Sequence, residues 1–142
     1  MLKIFLSVLC GDLTPDQIQR ILGMSCDSSW RSGDLFTYPS AARSRQRRQN
    51  CWRISCIADQ DRDAAAGACD VSEYVARLLA RVKGRESGFL KLVGLGCNVE
   101  LSISLVSANI PALNFAPEVL AGLVAIGASL DIDIVLTEEI SA

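Results

Sequence analysis

The chain has 142 residues, half of them hydrophobic, with 14 Lys and Arg against 16 Asp and Glu, a net charge of −2 and no His. That length supports one domain with a real core. No apolar run approaches the roughly 18 residues of a membrane helix, and without His the Ser/His and Cys/His nucleophile systems are excluded.

The opening MLKIFLSVLCG carries one Lys and a short apolar run, with Leu9 where a lipoprotein signal wants a small residue. It reads as a first strand and not as an export signal, so a cytoplasmic location is expected. Leu2, Ile4, Leu6, Val8 and Cys10 form an apolar face; Lys3, Phe5, Ser7 and Leu9 form a mixed one. Thr14-Pro15-Asp16-Gln17 predicts a helix start. Thr14 caps, Pro15 suits the first helical position and Gln17 closes a capping box. Ile18, Ile21 and Leu22 make the buried stripe, and Gly23 stops it.

A short extended segment is expected near Trp30. The next strand is Cys51 to Ile57, with Trp52, Ile54 and Cys56 opposite Arg53 and Ser55. Between them lies a long Arg-rich loop near 36–50, without periodicity. A second polar connection spans 59–69. Asp70 and Glu73 start a helix whose apolar face is Tyr74, Val75, Leu78, Leu79 and Val82. A short second helical piece follows around Phe89 to Val93. In the strand Cys97 to Val106, Val99, Leu101, Ile103 and Leu105 alternate with Asn98, Glu100, Ser102 and Ser104. Pro117 opens a helix carrying Val119, Leu120, Leu123, Val124 and Ile126. The last strand, Leu130 to Leu136, sets Leu130, Ile132, Ile134 and Leu136 against Asp131 and Asp133.

Such alternation predicts an α+β two-layer sandwich. Its sheet is mainly antiparallel, of four to five strands, with two to three helices on one face and the other face wet. "LTPDQIQRILG" and "FAPEVLAGLVAIG" both follow a strand and both place Pro then an acid at a helix start. This echo points toward a ferredoxin-like arrangement of two halves, or is what two well-capped helices share by chance. The six cysteines show no C-x-x-C spacing. Reduced, mostly buried thiols are expected, with no metal and no cofactor.

Charge is uneven along the chain. Residues 31–53 hold six Arg and one Asp, net +5, so the remainder carries −7. "SAARSRQRRQNCW" concentrates Arg43, Arg45, Arg47 and Arg48. It reads as a solvated loop, a contact surface for a protein partner, or a nucleic-acid arm. The last reading lacks a recognised motif, and the acidic remainder repels phosphate. On the wet face, Asp131 and Asp133 stand roughly 7 Å apart along one strand. With Glu100 near, they form a candidate carboxylate site, or they pair with Arg53 and Lys3. Trp30 and Trp52 close a core beside a loop, or line a ligand pocket. Gly94-Leu95-Gly96 precedes a strand, the wrong context for a dinucleotide loop.

Four stretches, "GDLTPDQIQRILG", "SWRSGD", "CWRIS" and "LAGLVAIGASLDIDI", in this order, resemble an uncharacterised, largely bacterial family, domain of unknown function 4279. The resemblance covers nearly the whole chain and implies a small α+β domain with no established activity and no catalytic motif to carry over. The setting of some members near polymorphic toxin systems implies an immunity role. The combined expectation is a non-enzymatic, protein-binding domain, in its most concrete form an inhibitor of a toxin or effector. The expected contact residues are Arg43, Arg45, Arg47, Arg48, Arg53, Glu100, Asp131 and Asp133. A small-molecule-binding or minor enzymatic domain is the alternative, and a weak nucleic-acid binder the third reading.

Overall fold

A computed structural model describes residues 1–37, 45–58, 71–108 and 112–137. Arg43, Cys69 and Asp70 lie outside the described residues. In chain order the elements are β1 (Leu2–Cys10), α1 (Pro15–Leu22), β2 (Ser28–Trp30), β3 (Leu35–Phe36), β4 (Arg45–Gln46), β5 (Asn50–Ala58), α2 (Val71–Arg81), α3 (Glu86–Gly94), β6 (Asn98–Ser107), α4 (Pro117–Ala125) and β7 (Ser129–Leu136).

The main sheet has the order β2-β5-β1-β6-β7, and β3 and β4 form a separate two-stranded ribbon. β1 is central and antiparallel to both β5 and β6, while β6 and β7 run parallel. The expected mainly antiparallel α+β sheet is therefore present. From β5 through α2 and α3 to β6, the chain makes a split βαβ unit around β1. From β6 through α4 to β7 it makes an unsplit one. The two Pro-opened helices hold unlike positions. α4 links parallel neighbours, whereas α1 leads from β1 to β2, which runs parallel to β1 with β5 between them. A ferredoxin-like fold needs two split units, and both are here: β1-α1-β2 around β5 and β5-α2-α3-β6 around β1, with α4 and β7 added at the β6 edge.

Alternation dictates what is buried. Leu2, Ile4, Leu6 and Val8 of β1 lie in register with Leu105, Ile103, Leu101 and Val99 of β6, and all eight are buried. The helices lay Ile18 and Leu22, then Val75 and Leu78, then Phe89 and Leu92, then Val119 and Leu123, on this face. Trp52 projects into the same core, edge-on to Phe89 with centroids 6.1 Å apart. Its Nε1 has no hydrogen-bond partner among the described residues. Cys10, Cys26, Cys51, Cys56 and Cys97 are free thiols.

Local chemistry fixes the ends of α1. Thr14 and Gln17 form the reciprocal capping box. Gly23 takes φ 67°, the left-handed geometry that stops a helix. Arg85, just before α3, donates from Nη1 to the carbonyls of Leu22 and Gly23 at 3.0 and 2.7 Å. Those acceptors would otherwise have only water.

Two expectations need correction. β7 is an edge strand, so Leu130 and Ile132, expected in the core, stay 39% and 37% exposed. The stretch 36–50 is not all loop. Phe36 belongs to β3, Arg45–Gln46 forms β4 and Asn50 begins β5. Asn50 is buried; its Oδ1 accepts from Ser32 N at 2.8 Å and its Nδ2 donates to the Leu13 carbonyl at 2.9 Å.

Candidate functional site: a guanidinium–aromatic ladder on the outer sheet face

The face turned away from the helices carries the odd residues of β1. Phe5 and Leu9 among them are apolar and need cover. Register places Arg53 opposite Ser7, and Ser7 opposite Glu100. Trp30 of β2 stands opposite Cys51, which stands opposite Leu9. The β3–β4 ribbon reaches this face. Arg47 donates its backbone N–H to the Asp34 carbonyl at 2.8 Å, and its carbonyl accepts from Gly33 N at 2.8 Å.

The result is an alternating stack. The Arg47 guanidinium carbon lies 3.9 Å from the centroid of Phe36 and 3.9 Å from that of Trp30. That of Arg53 lies 4.7 Å from Trp30 and 4.3 Å from Phe5. Phe36, Arg47, Trp30, Arg53 and Phe5 thus follow one another, each cation against two rings. Stacking on a ring face attracts a cation through the ring quadrupole and leaves the guanidinium edge free for hydrogen bonds. Arg53 uses its edge to donate from Nε to Ser7 Oγ at 2.8 Å.

The ladder keeps water off part of the expected wet face. Ser7 and Cys51 are buried there. Burial lowers the Arg53 pKa from its ordinary value, and burial pushes the Cys51 thiol up to about 11. Beside the stack opens a concavity of about 560 Å³ lined by Leu9, Trp30, Phe36, Arg45, Gln46, Arg47, Arg48 and Gln49. Among the described residues, ion pairs join Arg31 to Asp16, Arg77 to Glu73 and Arg81 to Asp27; none reaches Arg47, Arg48 or Arg53. Cationic side chains converge on an open hollow, an arrangement suited to an anion.

The structure sorts the expected residues. Arg45, Arg47 and Arg48 meet at the hollow, and Arg53 joins them through Trp30. Glu100 shares a cross-strand row with Arg53, two strands away, roughly 10 Å at the usual strand spacing. Asp131 and Asp133 stand opposite Ser102 and Ser104 on β7, at the far side of the sheet. They do share the outer face, but among the described residues no ion pair links them to Arg53 or Lys3. The described residues contain no cluster of three or more acidic, Cys or His groups that could hold a metal.

Trp30 and Trp52 do not line one pocket together: Trp52 closes the core, and Trp30 borders the hollow. Adjacent strands place Trp30 on the outer face and Trp52 in the core. The stacking role of Phe5 and Phe36 depends on strand order, which the sequence does not show. Phe5 was legible as an apolar residue on the second face of a central strand, a position that demands cover.

Residues 2–137 match the family described as Domain of unknown function (DUF4279). The chain belongs to this family. No curated protein and no solved structure matches it. The DUF4279 assignment agrees with the α+β architecture and assigns no role to the ladder. No helix among the described residues is long and apolar enough to cross a membrane.

Proposed function

We propose that this DUF4279 chain is a non-enzymatic, cytoplasmic binding domain of a bacterial cell, engaging an acidic protein partner through the ladder face. Its most concrete form is an immunity-type inhibitor that occludes a toxin or effector. The supporting observation is the hollow where Arg45, Arg47 and Arg48 converge beside Trp30 and Phe36. Arg and aromatic residues supply most of the anchoring at protein interfaces. A carboxylate side chain entering the hollow would meet three guanidinium groups, with the stacking already holding Arg47 in place.

The size of the hollow favours a second reading. About 560 Å³ lies within the range of small-molecule sites, so a small carboxylate or phosphate ligand is the alternative.

Surface-immobilised full-length protein distinguishes these readings. The probes are a twelve-residue Glu-rich peptide containing Tyr, its Lys-rich counterpart, citrate, inorganic phosphate and a single-stranded DNA oligomer. The protein-partner reading expects the Glu-rich peptide to bind with an association rate that falls steeply with salt. Arg48→Ser should slow that rate several-fold. Binding of citrate or phosphate alone at micromolar concentration would favour the alternative. Tighter binding of DNA than of the acidic peptide at physiological salt would reject both.

A further inference from the structure

The opposite edge of the sheet carries a separate surface. β7 ends the strand order, so alternate residues of Ser129–Leu136 send N–H and C=O groups away from β6, and no described strand receives them. Exposed edges usually carry guards: Lys, Pro, a bulge or very short length. β7 runs eight residues, SLDIDIVL, with no Lys, Arg, Pro or Gly. Its inner-face Leu130 and Ile132 remain more than a third exposed although they lie in register with the buried Leu101 and Ile103.

The charges on this edge are of one sign. Asp131 and Asp133 are exposed on the outer face, and no ion pair among the described residues engages them. They discriminate between occupants. A second copy pairing antiparallel about Ile132 would set Asp131 against the Asp133 of its neighbour, twice over, and like charges directly opposite destabilise a strand pair. An incoming strand with Lys or Arg on that face meets opposite charge at both positions. Its other face, if apolar, covers Leu130 and Ile132.

We infer that β7 is a docking edge for an extended segment of a partner protein that alternates basic and apolar residues, added as a sixth strand to the main sheet. Backbone hydrogen bonds provide the general affinity in such additions, and alternate side chains provide the selection. This inference does not depend on the ladder, which lies at the other end of the strand order.

The test uses the full-length protein and three fluorescent peptides. One alternates Lys and Val, one alternates Glu and Val, and one has the Lys/Val composition arranged as a Lys block and a Val block. The Lys/Val alternating peptide should bind at least about tenfold more tightly than the other two. Hydrogen exchange should then slow at residues 129–136. Asp131→Lys with Asp133→Lys should transfer the preference to the Glu/Val peptide. Asp131→Asn with Asp133→Asn, which leaves the strand's apolar face intact, should remove the charge preference and keep the slowed exchange. Equal binding of the blocked peptide overturns the inference, because field alone then suffices. Slowed exchange elsewhere overturns it too. So does a dimer that protects residues 129–136 without peptide, since the occupant would then be a second copy.

Discussion

Arg47 stacks on Trp30 with its guanidinium carbon 3.9 Å from the ring centroid, and Phe36 lies at the same distance from that carbon. The residue therefore ties the β3–β4 ribbon to the main sheet. Cation–ring contacts contribute about 0.5–1 kcal/mol when exposed and about 2 when desolvated; half-buried Arg47 falls between. Arg47→Ala should cost about 1–2 kcal/mol in urea denaturation. Arg48→Ala, at an exposed position without an ion pair among the described residues, should stay within about 0.5 kcal/mol. Equal losses would mean that the stack does not hold in solution.

Acid should act at another place. Arg81 grips Asp27 with two nitrogens, at 2.7 and 2.9 Å, and Ser55 N donates to the same carboxylate at 2.8 Å. The Arg81 hydrogen bond is the main cause holding the Asp27 pKa down at about 2, from an ordinary 3.8. A carboxylate depressed on folding stabilises the native state above its unfolded pKa, and that contribution is lost as pH falls toward the folded one. The melting temperature should therefore drop from about pH 4 to about pH 2. Both partners are partly exposed, so the drop should be modest. Asp27→Asn should flatten the curve in that window; an unchanged slope there would separate acid loss from this pair.

How much of this was legible in sequence depends on whether a residue's environment is local. Thr14, Gln17 and Gly23 act within one turn of helix, and both the capping box and the left-handed stop appear where the sequence implies them. Period-two alternation likewise placed Val99, Leu101, Ile103 and Leu105 in the core. Strand order is not local. Nothing in LDIDIVL distinguishes a covered strand from an edge strand, so Leu130 and Ile132 read as core although β7 has a neighbour on one side only. The ladder is less local still. Phe5, Trp30, Phe36, Arg47 and Arg53 come from four strands and one connection, and the Arg run read as uniform charge. Stacking singles out Arg47, and register singles out Arg53. Trp30 and Trp52 read as neighbours until strand pleat assigned them to opposite faces.

The edge position of β7 makes a direct comparison possible. Ile103 and Ile132 are register partners, one 1% and the other 37% exposed. Ile103→Ala empties a filled site and should cost about 2–4 kcal/mol. Ile132→Ala removes atoms already partly wet and should cost about 1 kcal/mol. Parallel urea titrations give both values. A larger loss at Ile132 would mean that another group covers the edge.

The junction of α1 with α3 offers a stricter test, because two groups there compete for one space. A Cβ built on Gly23 would lie 2.6 Å from Arg85 Nη1, too close for both to stay. The same guanidinium donates to the Leu22 and Gly23 carbonyls. Gly23→Ala therefore has two costs: left-handed backbone strain of roughly 1–2 kcal/mol and displacement of Arg85 from its acceptors. Arg85→Ala incurs the second cost alone, about 1 kcal/mol, with water replacing part of what is lost. In the double variant the displacement is counted once and the crowding is gone. Only backbone strain remains beyond the Arg85→Ala loss. The two single losses should then sum to more than the double loss by roughly 1 kcal/mol, the sign of coupled neighbours in a double-mutant cycle. Strict additivity in denaturant titrations would show that the guanidinium does not sit over Gly23 in solution. The end of α1 would then rest on the glycine alone.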